Sequence, residues 1–281
     1  MPWVTRGLRD GVVTTGYPRR PDPYAEELPG AVAAAVRPGA EQAGDLLDGD
    51  LLELCPTGAI GRDPAGVVTV DRGRCLLCGR CVHARPELFS WVPGNQTSRV
   101  GRTALVVPEA AEDDTTLAAT RADLARRVRI FGRSVHVRHV DVGSDGTEEW
   151  EIAALTNPVY DVARLGIFFT ASPRHADVLL LTGAGSWGMA EPLVRTVEAT
   201  ARPLVVVAVG TDAASGGLVA PGYAVAGGVA GLLPEGVAVD VWVPGSPPSP
   251  FAILHGLLLA TGRLVAPGEV RAPRAAARRP R

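Results

Sequence analysis

The sequence predicts an α/β protein, a parallel sheet flanked by helices over its second half, preceded by a small cysteine-bearing α+β unit. Three observations carry this. From Val135 onward, apolar runs of strand length alternate with helical stretches. All four cysteines fall between Cys55 and Cys81. And 281 residues with 46% apolar content are enough to bury two cores. The 30 acidic and 28 basic side chains leave a net charge of -2, so no global field draws the chain to nucleic acid or to an anionic membrane. Any partner must be recognised locally. All 28 basic residues are Arg, which fits GC-rich coding and carries no functional conclusion.

Residues 1–50 are rich in Pro and Gly and read as an irregular arm, with a weak helix from Glu26 to Val36. Residues 51–92 hold the cysteines. Within them Gly66 to Asp71 reads as a short strand, and a helix after Cys78 must stop at Arg85-Pro86, because the residue before proline is held out of the helical region. Residues 93–132 read as a linker followed by an amphipathic helix. Thr115 or Thr116 caps that helix, and Leu117, Leu124 and Val128 share one face. Residues 133–265 carry strands at Val135 to Val140, Ile167 to Thr170, Val178 to Leu181, Leu204 to Val209 and Val239 to Val243. Helices run from Glu191 to about Thr200 and, with Ser249 as cap and Pro250 at the first position, to Thr261. Residues 266–281 hold five Arg with Pro and Ala and read as a disordered tail.

No apolar run approaches the roughly 20 residues of a membrane span. The stretch Met1 to Arg6 lacks the layout of a secretory signal, which places the chain in a reducing cytoplasm. There, four cysteines are expected to be ligands and not disulfides.

Their spacing says which ligands. Cys75-x-x-Cys78-x-x-Cys81 puts three thiolates on one tight turn, and Cys55-Pro56 supplies a fourth, the layout of one cubane 4Fe-4S cluster. The bacterial ferredoxin run adds a fourth Cys-Pro that ligates a second cluster. Here that position is Arg85, still followed by Pro86, and no C-x-x-C-x-x-C precedes Cys55. All four ligands of one cluster are absent together while all four of the other remain. A zinc site is the alternative, although zinc sites usually pair two C-x-x-C units. Gly79 allows close approach to the cluster, and His83 reads as a surface residue.

Gly183-Ala184-Gly185-Ser186-Trp187-Gly188 matches the dinucleotide fingerprint G-x-G-x-x-G between a strand and a helix, with Asp212 just past the next strand. Trp187 inside the loop, and its place on a late strand, favour an ordinary strand-to-helix turn.

Several short motifs share a further likeness. Val140-Asp141-Val142-Gly143-Ser144, Glu151 to Leu155, Asn157-Pro158, Ala171 to Asp177, Met189 to Leu193 and Tyr223-Ala224-Val225 resemble the 20 kDa subunit family of NADH-quinone oxidoreductase. The resemblance extends to the small subunits of membrane-bound energy-converting nickel-iron hydrogenases and formate hydrogenlyases, and covers about residues 135 to 262. The first third more loosely resembles half of the two-cluster ferredoxin subunit of the same complexes, including Thr14-Thr15 and Tyr17-Pro18. The resemblance implies a flavodoxin-like fold with its own 4Fe-4S cluster facing a large catalytic subunit. It also implies a membrane arm beyond that subunit and a peripheral location on the inner face of the cell membrane through partners, with quinone a candidate at the subunit interface.

The same resemblance assigns the four cluster ligands to Asp145, Glu148, Asp212 and Ser246, none of them a cysteine. Hard oxygen donors substitute poorly for thiolates around iron–sulfur, so this site is expected to be vacated. A divalent cation held by the three carboxylates, pairing with an Arg such as Arg174, or exposure to water are the ways their repulsion could be relieved. Arg174 and His175 are candidates for the partner interface. No nucleophile–base constellation is present, so any substrate chemistry is expected on a partner. Two functions follow. One is an electron-transfer subunit using one 4Fe-4S cluster on Cys55, Cys75, Cys78 and Cys81. The other is a structural or regulatory subunit that conducts no electrons to the large subunit. A nucleotide-binding oxidoreductase rests on the glycine loop alone.

Overall fold

The computed structural model describes residues 2–34, 50–108, 114–131, 134–220 and 222–264. The chain opens with helix α1 (Pro2–Asp10), then strand β1 (Pro29–Ala34) and a single helical turn α2 (Asp50–Glu53). Strands β2 (Ile60–Arg62) and β3 (Val68–Asp71), helix α3 (Arg80–Ala84) and strand β4 (Phe89–Pro93) complete the cysteine-bearing region. Two short strands follow, β5 (Arg99–Val100) and β6 (Val106–Val107), then helix α4 (Asp114–Val128). The remainder alternates β7 (Val135–Asp141), α5 (Thr147–Ala154), β8 (Ile167–Phe169), β9 (Val178–Thr182), α6 (Ala190–Ala199), β10 (Val205–Val209), α7 (Thr211–Ser215), β11 (Val241–Val243) and α8 (Pro250–Ala260).

The large sheet has the order β5-β11-β10-β9-β7-β8, parallel throughout except for β5, which runs antiparallel on β11. Its five parallel strands follow the order of flavodoxin-like doubly wound sheets, with the winding reversing between β7 and β9. Both faces are covered. Val178, Leu180, Val205 and Val207 pack against Leu124 and Val128 of α4, Ile152 of α5 and the wholly buried α8. Leu179, Leu181, Val206 and Ala208 face the other way, against Leu193 and Val197 of α6 and Ala213 of α7. This two-sided burial is why β9 and β10 read as unbroken apolar runs and not as alternation. Ser249 caps α8, its hydroxyl accepting from the Ala252 amide at 3.2 Å.

Three expectations change. The helix expected over Glu26 to Val36 is a turn as far as Leu28 and then strand β1, paired antiparallel with β4, and Ala31 and Val32 are buried there. Long-range pairing with β4 overrides the local helix preference of an Ala-rich run. The arm of residues 1–50 is not irregular throughout, since it carries α1 and β1. And the stretch read as a linker supplies β5 to the large sheet and β6 to the three-stranded sheet β2-β3-β6. The Arg-rich tail lies outside the described residues.

Candidate functional site

The four cysteines come together around one cavity, lined also by Val32, Ile60 and Gly79, and none forms a disulfide. Cys55 follows α2; Cys75 and Cys78 sit in the loop between β3 and α3; Cys81 is on α3. Left-handed backbone at Leu77 (φ 56°) and Gly79 (φ 74°) winds this loop round the cavity. Backbone amides point at sulfur: Ala59 donates to Cys55 Sγ at 3.2 Å and Leu77 to Cys75 Sγ at 3.4 Å. Burial pushes the Cys75 thiol up to about 11; the Leu77 amide opposes this, and the three other cysteines add to it. Four thiols round one cavity, two of them met by backbone amides, suit a group that brings positive charge to thiolates, as an iron–sulfur core does. Among the described residues, no set of three or more His, Cys, Asp or Glu side chains is placed to hold a metal ion.

At the carboxyl ends of β7, β10 and β11, near the point where the winding reverses, stand the four oxygen-bearing positions. Asp145 and Glu148 flank the start of α5, Asp212 is in the first turn of α7, and Ser246 follows β11. Glu148 is only 1% exposed, its carboxyl seated against Gly210. Burial pushes it up to about 7, with Asp212 and Asp145 adding repulsion and its own amide and Thr147 opposing. The hydroxyl of Thr147 donates to both Asp145 Oδ1 (2.7 Å) and Glu148 Oε2 (3.1 Å), and its hydrogen bonds hold Asp145 below the usual carboxylate range. Asp212 is raised by burial and by Asp145. The Thr211 amide donates to the Gly245 carbonyl at 2.7 Å, which brings the Ser246 loop to the same helix start. The positions named from sequence therefore converge. Burial favours the neutral form of Glu148, and the Thr147 hydroxyl donates into the carboxylate pair; both ease the repulsion. Arg174 and His175 lie exposed before β9, at the opposite edge of the sheet.

Three features had no signal in the sequence. Thr211, beside Asp212, donates its hydroxyl to the Cys75 carbonyl at 2.9 Å in a buried bond, tying the cysteine loop to the carboxyl edge of the large sheet. Leu76 and Leu77 line a groove with Ser246 and Pro247 on the same side. Arg102 grips both oxygens of Asp71 (2.7 and 2.8 Å) and lies over the Trp242 ring, a second bridge. Beneath the edge, Glu149 accepts from Ser144 Oγ (2.8 Å) and from Thr182 Oγ1, while His139 Nε2 stands 3.0 Å from Thr182 Oγ1 and 3.3 Å from Glu149 Oε1.

The glycine loop is a packing device. A Cβ on Gly183 would lie 2.5 Å from the Gly143 carbonyl carbon and from the Ser144 nitrogen. The amides of Ala184, Gly185, Ser186 and Trp187 already donate to Gly143, Val142 and Ala224 carbonyls, so they are not free to cradle a phosphate. This geometry is that of an ordinary strand-to-helix turn and leaves the dinucleotide alternative without support.

The family profile described as NADH ubiquinone oxidoreductase, 20 Kd subunit, matches residues 146–260. The chain is 37% identical over 163 residues to formate hydrogenlyase subunit 7 of Escherichia coli, covering 58% of this chain and 61% of that one. It is 38% identical over 141 residues to a "probable membrane-bound hydrogenase subunit" of Pyrococcus furiosus, covering 50% and 82%. It is 39% identical over 112 residues to an NADH-quinone oxidoreductase subunit of Heliobacterium modesticaldum, covering 40% and 62%. The chain thus spans less than two-thirds of the length of the first and the third.

Proposed function

The chain belongs to the NADH ubiquinone oxidoreductase 20 kDa subunit family, and from that membership we propose that it is the electron-transfer subunit of a hydrogenase-like or complex I-like assembly. It works with one 4Fe-4S cluster on Cys55, Cys75, Cys78 and Cys81, in a ferredoxin-like unit fused ahead of the family domain. The observation that carries this is the convergence of four thiols and sulfur-directed amides on one cavity, bonded through Thr211 to the edge where Asp145, Glu148, Asp212 and Ser246 stand, the positions that the resemblance assigns to the family's own cluster.

When bound, the cluster supplies one-electron transfer. The chain's residues do the rest. The amides of Ala59 and Leu77 stabilise charge on sulfur. Thr211 fixes the Cys75 backbone. Buried Glu148, capped by Thr147, occupies ground where the family ligand stood. On this reading the single cluster serves a large catalytic subunit docked at the carboxyl edge, where Trp150, Trp187 and Tyr223 are exposed and apolar. The membrane arm is reached through such partners, and the chain sits peripherally on the inner face of the membrane.

Anaerobic purification with iron and sulfide analysis and low-temperature EPR tests the proposal. About four irons per chain are expected, lost in Cys78→Ala and kept in Asp212→Ala. About eight irons would overturn the vacated site, and zinc without iron would overturn electron transfer. The carboxylates in place of thiolates favour a second reading, a structural or regulatory subunit without conduction. A co-purifying large subunit devoid of nickel, together with a cluster that its substrate cannot reduce, would select it.

A further inference from the structure

Helix α1 is one-sided and uncovered. At 100° per residue, Trp3, Val4, Gly7 and Leu8 fall within one arc of its circumference, while Thr5, Arg6, Arg9 and Asp10 fall in the opposite arc. No residue of the helix is buried; Trp3 is 73% and Leu8 80% exposed, and Val12 and Val13 just beyond are exposed as well. Nine residues are too few for a stable helix in water, where about 12–15 are needed even for favourable sequences. Such a helix forms where a surface covers its apolar side. Its base is fixed: Thr14 Oγ1 donates to the Pro158 carbonyl (2.7 Å), the Thr15 amide to the Val159 carbonyl (2.9 Å), and Tyr17 is buried edge-on against Phe251 at 5.7 Å. The chain is therefore fixed to the body from Thr14 onward, just beyond the helix.

The charge pattern says what covers it. Two arginines against one aspartate, an exposed partner of Arg6 at 3.5 Å, leave this segment cationic on a chain whose net charge is -2. Both arginines lie on the polar arc, and an aromatic, Trp3, stands at the boundary between the arcs. A wide apolar arc, a basic polar arc and an indole at their border are the features of a helix lying in a lipid interface. We propose that α1 lies in the surface of an anionic bilayer, with Trp3, Val4 and Leu8 among the acyl chains and Arg6 and Arg9 against the headgroup phosphates. This deepens the membrane-peripheral part of the proposed function by giving the chain a direct lipid contact. It does not depend on iron, so its failure and that of the cluster reading are separable.

The test is sedimentation of the full chain with vesicles of phosphatidylglycerol and phosphatidylcholine in equal parts, and with phosphatidylcholine alone. Binding is expected on the anionic vesicles at millimolar lipid, weakened by salt and much weaker on neutral ones. Leu8→Glu should lower the partition coefficient by about tenfold or more, and Arg6→Gln with Arg9→Gln by about tenfold on anionic vesicles only. Unchanged iron content and circular dichroism in these variants would show that the body is intact. Absence of binding to anionic vesicles, or equal binding by wild type and Leu8→Glu, overturns the proposal. Leu8-dependent capture by a detergent-solubilised membrane subunit, with no binding to bare vesicles, also overturns it, in favour of a protein groove.

Discussion

Glu148 shows how burial of one carboxyl ties the stability of the fold to pH. Its folded pKa stands at about 7, above the ordinary 4.5. A group raised in this way stays protonated in the fold while the unfolded chain ionises, so stability falls as pH climbs from about 4.5 to 7. Glu148→Gln keeps the hydrogen-bonding shape and removes the ionisation. It should be more stable than wild type at pH 8 by roughly 1–3 kcal/mol and indistinguishable near pH 4, measured by urea unfolding. At this scale the gathering of the cysteines round one cavity was legible, because three of the four lie within seven residues of chain. The positions Asp145, Glu148, Asp212 and Ser246 could be named only through the resemblance. The near-complete burial of Glu148 could not be read, since it depends on α5 closing over Gly210, sixty-two residues away in the chain.

Elements follow the same division. Strands β9 and β10 were legible because burial on both faces leaves unbroken apolar runs, β7 because apolar and polar residues alternate along it, and α8 because Ser249-Pro250 is a local capping signal. Strand β1 was not, because its partner β4 lies some sixty residues away and nothing within the Ala-rich run announces it. The glycine loop reads ambiguously in sequence for a related reason: a close backbone approach demands glycine whether the neighbour is a phosphate or another loop. Gly183 has φ +88° and meets Gly143 and Ser144. Gly183→Ala should therefore cost about 2–4 kcal/mol in chemical denaturation. It should leave the EPR signal of the surviving protein unchanged, since the cysteines lie on other elements.

For the whole molecule, the informative contacts are those that join the cysteine unit to the large sheet. Thr211→Val leaves the Cys75 carbonyl buried without its donor and should cost about 1–3 kcal/mol. In the iron-loaded protein the same change should alter the EPR line shape, which a merely local destabilisation would leave alone. Cys78→Ala, lacking its cluster, should be cut by protease preferentially within residues 50–93, because the small core around Val32, Ile60 and Phe89 would lose its metal-linked stabilisation. No sequence signal pointed to either joining contact, since each pairs residues far apart in the chain.

Strand β5 gives this union one more consequence. Its two residues are the sole neighbour of β11 on that side among the described residues. Splitting the polypeptide into its halves by cutting after residue 110 would strip this hem away and leave Val241 to Val243 with a bare row of amides and carbonyls. A fragment beginning at 111 should form oligomers in light scattering, whereas one beginning at 95 should stay monodisperse.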